Sequence, residues 1–579
     1  MLARRPFSAS GHVARIGLAD RGGPRCATVS RMQPTSADLV LTGGHIHTVD
    51  AALPRAEAVA VAGERIVAVG SARDVAAWIG PRTRVVDLAG RLLLPGFQDA
   101  HVHPVYGGMD LVECDLREQR GRDGAIAAVR AYAEAHPEKT WIVGSGWYMP
   151  DFPNGTPRRE DLDSVVPDRP AFFPNRDGHS TWVNSKALDL AGIDASTPDP
   201  DDGRIERDPD GTPTGTLHEG AAALVERLLP AHTDTDWDEA FRTGQAYLHR
   251  LGITAWQDAI VTPDILAIYR RASDAGALTG RVEAALWWAR DRGDEQVEEF
   301  LAVSRSLPPG RLRANSVKLM LDGVAETFTA SMVDPYLDAS GAATTNRGID
   351  FIDPDELRSH VTRLDAAGLQ AHFHALGDRA VRQALDAVEA ARAANGMTDT
   401  RPHVAHIQVV HPDDLSRFAA LGAVANAQPL WACHESQMDD LTIPFLGPER
   451  ATWQYPFASL LGSGARLAMG SDWAVSTPNV LEEIEVAVER IYPDSRRETP
   501  SFLPSERITL EQAIHGFTMG SAYVNHLDDD TGSVSVGKLA DLAVIDRDLF
   551  VPDAGPIGDA RILATFVGGA AVFEDPALG

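Results

Sequence analysis

The sequence predicts an α/β chain: a TIM-type (β/α)8 barrel with an inserted α/β subdomain, plus a small β-sandwich formed from both chain ends. Three observations lead there. From residue 96 to about 520, short apolar runs alternate with amphipathic helical stretches, the pattern of a parallel sheet. Eight such runs are present: the one leading into His101, then Ile253–Asp258, Arg281–Trp287, Ser316–Leu321, Leu369–His374, His403–Gln408, Ala423–Gln428 and Leu467–Asp472. Short strands broken by glycine turns occupy both ends of the chain.

The first 31 residues carry Arg4, Arg5, Arg15, Arg21, Arg25 and Arg31 against one acid, Asp20, with no hydrophobic period. They predict a disordered extension over residues 1–37, or a gene start placed too early, with Met32 the true initiator. Arg4-Arg5-Pro6-Phe7 resembles a twin-arginine export signal, but no apolar segment follows it. Residues 38–92 read as strands Asp38–Leu41, Ala58–Val61, Ile66–Val69 and Val85–Leu88. Residues 530–579 share this character in Ala540–Asp546, Ile562–Val567 and Ala570–Phe573. The two regions are expected to pair into one composite β-sandwich, leaving residues 93–529 for the barrel. In the helix before the fifth barrel strand, Leu357, Val361 and Leu364 fall at i, i+4 and i+7, with Gly368 as the stop. Roughly 140 residues separate the first two barrel strands, far more than a βα loop. An inserted subdomain is therefore expected over about residues 110–250, with strands Trp141–Val143 and Ala171–Pro174, and with the acidic, Gly/Pro-rich run Thr197–Gly215 as an exposed loop.

Composition narrows the function. A 579-residue chain with 44% hydrophobic and 23% charged residues has ample material for a large core. Its net charge of −29 argues against nucleic acid or an anionic membrane as partner, and no apolar run reaches the ~18 residues of a membrane helix. Three scattered cysteines, Cys26, Cys114 and Cys433, fit a reducing, cytoplasmic setting and exclude a disulfide framework. A small-molecule substrate is the expected partner, with a homodimer left open.

The chemistry gathers at strand ends. In Gly96-Phe97-Gln98-Asp99-Ala100-His101-Val102-His103-Pro104, residues i and i+2 of a strand share a face, so His101 and His103 aim two imidazoles at one place. Such a pair suits zinc or a similar divalent cation. The spacing alone proves little, because His45-Ile46-His47 repeats it with no further ligand nearby. Lys318 lies in an otherwise apolar fourth strand, where a charged amine is costly to bury, so it either reaches the strand end or becomes a carbamate. His374 ends the fifth strand, with His372 one layer deeper; His406 lies in the sixth and Asp472 closes the eighth. Separately each has an ordinary explanation as a core histidine or helix cap. Together they converge on one barrel mouth.

This set resembles the amidohydrolase superfamily. The Gly96–His103 stretch is similar to its first-strand motif, and Gly537-Lys538-Leu539-Ala540-Asp541-Leu542-Ala543-Val544-Ile545-Asp546 to the segment that returns to its end sheet. Asp177-Gly178-His179, Asn184-Ser185-Lys186-Ala187-Leu188, Val317-Lys318, Asp322-Gly323, His374-Ala375-Leu376-Gly377-Asp378 and the closing Gly470-Ser471-Asp472 resemble the amidohydrolase-3 branch, which includes N-substituted formamide deformylase. The resemblance implies His101 and His103 on one metal, His374 and His406 on a second, a carboxylated Lys318 bridging them, and Asp472 beside the nucleophilic water. One or two zinc ions are implied. The expected activity is hydrolysis of a C–N bond in an amide, an N-substituted formamide being the nearest guess; an esterase or carbamate hydrolase, or a non-catalytic metal-stabilised binding protein, are the alternatives. His179 is expected to hydrogen-bond the substrate carbonyl, Glu326 to line the mouth, and Trp147, with Trp182, Trp431 and Trp473, to offer an aromatic wall if not simply core.

Overall fold

The computed structural model describes residues 36–117, 119–496 and 498–578. The expectations for the first 31 residues lie outside that range. The extension was expected to run to residue 37, but Ala37 is already buried and donates its N–H to the Trp78 carbonyl (2.8 Å), so packed chain begins before Asp38.

The eight barrel strands are β1 (Phe97–Val102), β2 (Ile253–Val261), β3 (Arg281–Trp287), β4 (Leu312–Met320), β5 (Gln370–Ala375), β6 (His403–His406), β7 (Val424–Ala427) and β8 (Arg466–Met469). They pair in parallel in chain order. β1 and β8 share no ladder, and the ring is closed beyond the end of β8. There Asp472 N donates to His101 O (2.8 Å) and His103 N to Trp473 O (2.6 Å). Asp99, buried on β1, accepts the N–H (3.1 Å) and hydroxyl (2.6 Å) of Ser471. Gly470 is required at this seam, since a Cβ there would lie 2.5 Å from His101 N.

Two barrel strands stop short of expectation by two residues or more. β6 ends at His406 rather than Gln408, because His406 and Ile407 adopt left-handed φ of 75° and 44°. β8 ends at Met469 rather than Asp472, where the Asp99 carboxylate captures the backbone and Asp472 takes a φ of 54°. The helix Pro354–Ala366 buries Leu357, Val361 and Leu364. It stops where Gly368 turns left-handed (φ 75°) and Leu369 N reaches back to Leu364 O (2.9 Å).

Between β1 and β2 lies a six-stranded sheet in the order Gly203–Arg207, Pro213–Glu219, Ser180–Val183, Ala171–Pro174, Ile142–Ser145, Cys114–Asp115. The acidic run Thr197–Gly215 is thus not a bare loop. It holds one strand of a hairpin and the start of the next, turned by Asp208-Pro209-Asp210-Gly211, with Asp208 N on Thr212 O (2.9 Å) and Gly211 at φ 88°.

The two chain ends hydrogen bond into one eight-stranded sheet, in which Leu92–Pro95 pairs with Leu542–Ile545. Leu41, Val59 and Val61 from the N-terminal part share a core with Leu542, Val544 and Phe566, so the sheet curls over on itself. Asp541 pins it to the barrel: its carboxylate takes Arg281 Nε (2.7 Å) and Nη2 (3.0 Å) at the start of β3, and Gly568 N (2.7 Å). Both partners are buried, at 9% and 2% side-chain exposure. Removing one member strands the other's charge, so Asp541→Ala is expected to cost about 3–5 kcal/mol, measured as a drop in the midpoint of urea unfolding. A midpoint within error of the parent would show that this pair does not join sheet to barrel.

Candidate metal centre

The C-terminal ends of β1, β4, β5, β6 and β8 place His101, His103, Lys318, His374, His406 and Asp472 around one point. Asp472 Oδ1 is 2.9 Å from His103 Nε2 and 3.3 Å from His101 Nε2; its Oδ2 is 3.8 Å from His406 Nδ1. One ligand atom each from His101, His406 and Asp472 falls within a 4.8 Å cluster. The His374 ring packs on His406 with centroids 4.5 Å apart. Lys318 Nζ, pointing up from a position level with His372, reaches His101 Nε2 at 3.2 Å. His406 and Asp472 owe their positions to left-handed backbones, a strain of roughly 1–3 kcal/mol each, held by Gln428 Oε1 on His406 N (2.8 Å) and by the seam bond on Asp472 N.

The charge state of the site fits a cation. Burial and the nearby Lys318 push His101 down to about 3, and burial likewise lowers His374 and His406. These imidazoles are neutral and offer lone pairs. Asp472 is ionised: burial works against it, but hydrogen bonds from His101 and His103 outweigh that effect. Lys318 is brought to about 7 by burial, against the pull of Asp472 and Asp258. His103 Nδ1 and His406 Nδ1 are buried without a hydrogen-bond partner among the described residues. A buried carboxylate ringed by histidine nitrogens, some of them orphaned, is a donor set that a divalent metal completes.

A surrounding layer orients these side chains. His372 Nε2 meets His101 Nδ1 at 2.7 Å, leaving Nε2 of His101 toward Lys318 and Asp472. Asp322 Oδ1 takes the Nδ1–H of His374 (3.2 Å) and Leu376 N (3.1 Å); Oδ2 takes Ser331 N and Gly377 N (2.9 Å each). One buried carboxylate thereby fixes the end of β5, the loop after β4 and the tautomer of His374.

The site opens into a cavity of about 670 Å³ lined by His179, His374, His406, Trp431 and Asp472 among others. His179 arrives from the inserted subdomain. Its Nδ1 donates to Glu219 (3.0 Å to Oε2), and although burial favours the neutral ring, that carboxylate raises its pKa to about 9. Glu326 also lines the cavity, accepting from Thr442 Oγ1 (2.8 Å), with its carboxyl raised chiefly by burial. Trp147 is placed elsewhere. It is fully buried in the subdomain core with its Nε1–H on Phe173 O (2.7 Å), because the strand Ile142–Ser145 that leads into it packs against Ala171–Pro174. Trp182 and Trp473 are also core, whereas Trp431 lies on the cavity wall, stacked on His406 at 5.5 Å.

In the sequence, Asp99 and Asp322 stand inside motifs that give neither a role of its own, and Glu219 carries no motif at all. Their parity within Asp99-Ala100-His101 and their place in Asp322-Gly323 were usable signals; nothing in the sequence ties Glu219 to a histidine forty positions away.

With this geometry in place, similarity to known proteins is informative. Residues 84–573 match the amidohydrolase family. The chain is 33% identical over 556 residues to Protein LONG AFTER FAR-RED 3 of Arabidopsis thaliana, covering 93% of this chain and 92% of that one. It is 28% identical over 547 residues to N-substituted formamide deformylase of Arthrobacter pascens, covering 93% and 98%. Among solved structures, an uncharacterized metal-dependent hydrolase from Pyrococcus furiosus superposes with a TM-score of 0.67 at 27% identity, covering 88% of this chain and 99% of its own. Motifs, barrel and matched length agree: the chain belongs to the amidohydrolase family.

Proposed function

We propose that this chain, a metal-dependent hydrolase of the amidohydrolase type, cleaves the C–N bond of a small amide. Zinc is the proposed metal, with His101, His103, Lys318, His374 and His406 as its ligands. The A. pascens relative makes an N-substituted formamide the first substrate to try. The observation that carries the reading is the ionised Asp472 set among histidine nitrogens in the lining of an open cavity. A metal held only for stability needs a closed shell and no proton acceptor facing a cavity.

When bound, the metal supplies Lewis acidity, polarising a carbonyl and easing loss of a proton from water. The remaining work falls to the chain. Asp472 accepts the proton of the attacking water and delivers it to the departing nitrogen. His179, kept protonated by Glu219, donates to the substrate oxygen as negative charge builds there. Lys318, brought to about 7, presents a neutral amine that combines with carbon dioxide, losing one proton to give an anionic carbamate ligand. His372 and Asp322 keep the ligating rings in register.

Purified protein is expected to contain one to two equivalents of zinc by elemental analysis, and Asp472→Asn to keep a substantial share of that metal while losing at least a hundredfold in kcat on amides it hydrolyses. Near-parental kcat would remove Asp472 from proton transfer. Asp322→Ala is expected to weaken zinc affinity by about 10–100-fold, read by competition with a chromogenic chelator; unchanged affinity would make Asp322 a purely structural group. For His179→Ala the expected loss is about 10²–10³ in kcat with a smaller change in KM, and the opposite split would assign His179 to ground-state binding.

A further inference from the structure

The cavity wall carries a second buried orphan besides the ligand nitrogens. Gln408 lies two residues beyond His406, lines the cavity and is 1% exposed, yet its Oε1 has no hydrogen-bond partner among the described residues. The direction of this amide is not arbitrary. Gln454 Nε2 faces the carbonyl of Ala451 (3.3 Å), which can only accept, so its nitrogen has to be on that side. Gln454 Oε1 then faces Gln408 and accepts from its Nε2 (3.4 Å). The chain of amides thus ends with Gln408 presenting a carbonyl oxygen, and flipping either amide would set acceptor against acceptor. The backbone is held as well: Tyr455 N donates to Gln408 O (2.9 Å), and Val409 bridges Gln454.

A buried acceptor without a donor is costly, and native proteins retain few of them. His406 Nδ1, the neighbouring orphan, is accounted for by the metal. The oxygen of Gln408, a residue that lines the cavity, finds no donor among the described residues. We propose that Gln408 is a specificity-determining residue that accepts the N–H of the substrate, so that the enzyme selects secondary amides, R–NH–CO–R′, over esters and over N-alkylated amides of the same shape. This rests on the amide-hydrolase reading above and sharpens it, because an ester has no donor to offer that oxygen.

The test uses the zinc-loaded full chain and three matched probes: N-benzylformamide, N-benzyl-N-methylformamide and benzyl formate. Each is measured as kcat/KM with the parent, Gln408→Leu and Gln408→Glu, with zinc content and unfolding midpoint recorded for all three proteins. Gln408→Leu is expected to lower kcat/KM for the N–H amide by roughly tenfold, the worth of one hydrogen bond, while leaving the N-methyl amide and the ester within about twofold. Gln408→Glu, which retains an acceptor, is expected to keep the preference for the N–H amide. Equal losses on all three probes would mean that Gln408 serves only the fold or a buried water, overturning the inference while the hydrolase reading stands. Turnover of the ester alone by the parent would overturn the amide reading, and with it the inference; turnover of none of the three would do the same.

Discussion

The seam that closes the barrel is the constraint on which the rest of the site depends. β1 and β8 never form a ladder; they are joined by two backbone bonds, His101 O to Asp472 N and His103 N to Trp473 O, and by the Asp99 carboxylate on Ser471. The atoms that close the sheet therefore belong to residues of the candidate metal centre and their neighbours. Shifting β1 by one residue would turn His101 and His103 outward and would also remove the partners of Asp472. Gly470 shows how tight the join is, since a single added methyl group there meets the backbone of His101. Fold and function are secured by one set of hydrogen bonds.

Around that seam the protein spends stability on orientation. His406, Ile407 and Asp472 keep left-handed backbones that cost free energy. Buried Asp99 and Asp322 each gather three or more donors, so that a ring or a turn cannot move without breaking several bonds. The imidazoles stay neutral because burial penalises their charge, and a neutral imidazole is the form that binds a metal. The inserted six-stranded sheet has a different role. It brings His179, held protonated by Glu219, to within 6.1 Å of the His374 ring, so a group poised to donate near the site comes from outside the barrel.

Much of this was legible in the sequence, for physical reasons that can be named. Period-2 and period-3.6 hydrophobicity marks strands and helices because burial follows those periods, and it located all eight barrel strands. The candidate site residues stood out because histidine, lysine and aspartate are unusual at the ends of apolar strands. What stayed hidden depends on backbone conformation and long-range pairing. The early ends of β6 and β8 follow from left-handed residues that are not glycine, which no propensity anticipates. The hairpin inside Thr197–Gly215 was masked by its acidic, proline-rich composition, although Asp-Gly at its turn was a usable sign. Trp147 looked like a wall of the cavity because it follows a strand, but that strand belongs to another sheet and its indole closes a separate core. Gln408 has no mark in the sequence, since only its surroundings reveal that its oxygen lacks a partner among the described residues.

The central claim is that His101, His103, Lys318, His374, His406 and Asp472 form one metal centre at the seam. It is tested most directly by a crystal structure of the protein as purified, with data collected on both sides of the zinc absorption edge. The account predicts an anomalous peak about 2.0–2.1 Å from the coordinating histidine nitrogens, beside Asp472, with extra density on Lys318 Nζ for a carbamate. Anomalous maps with no peak among these residues, in a sample that hydrolyses amides, would contradict it.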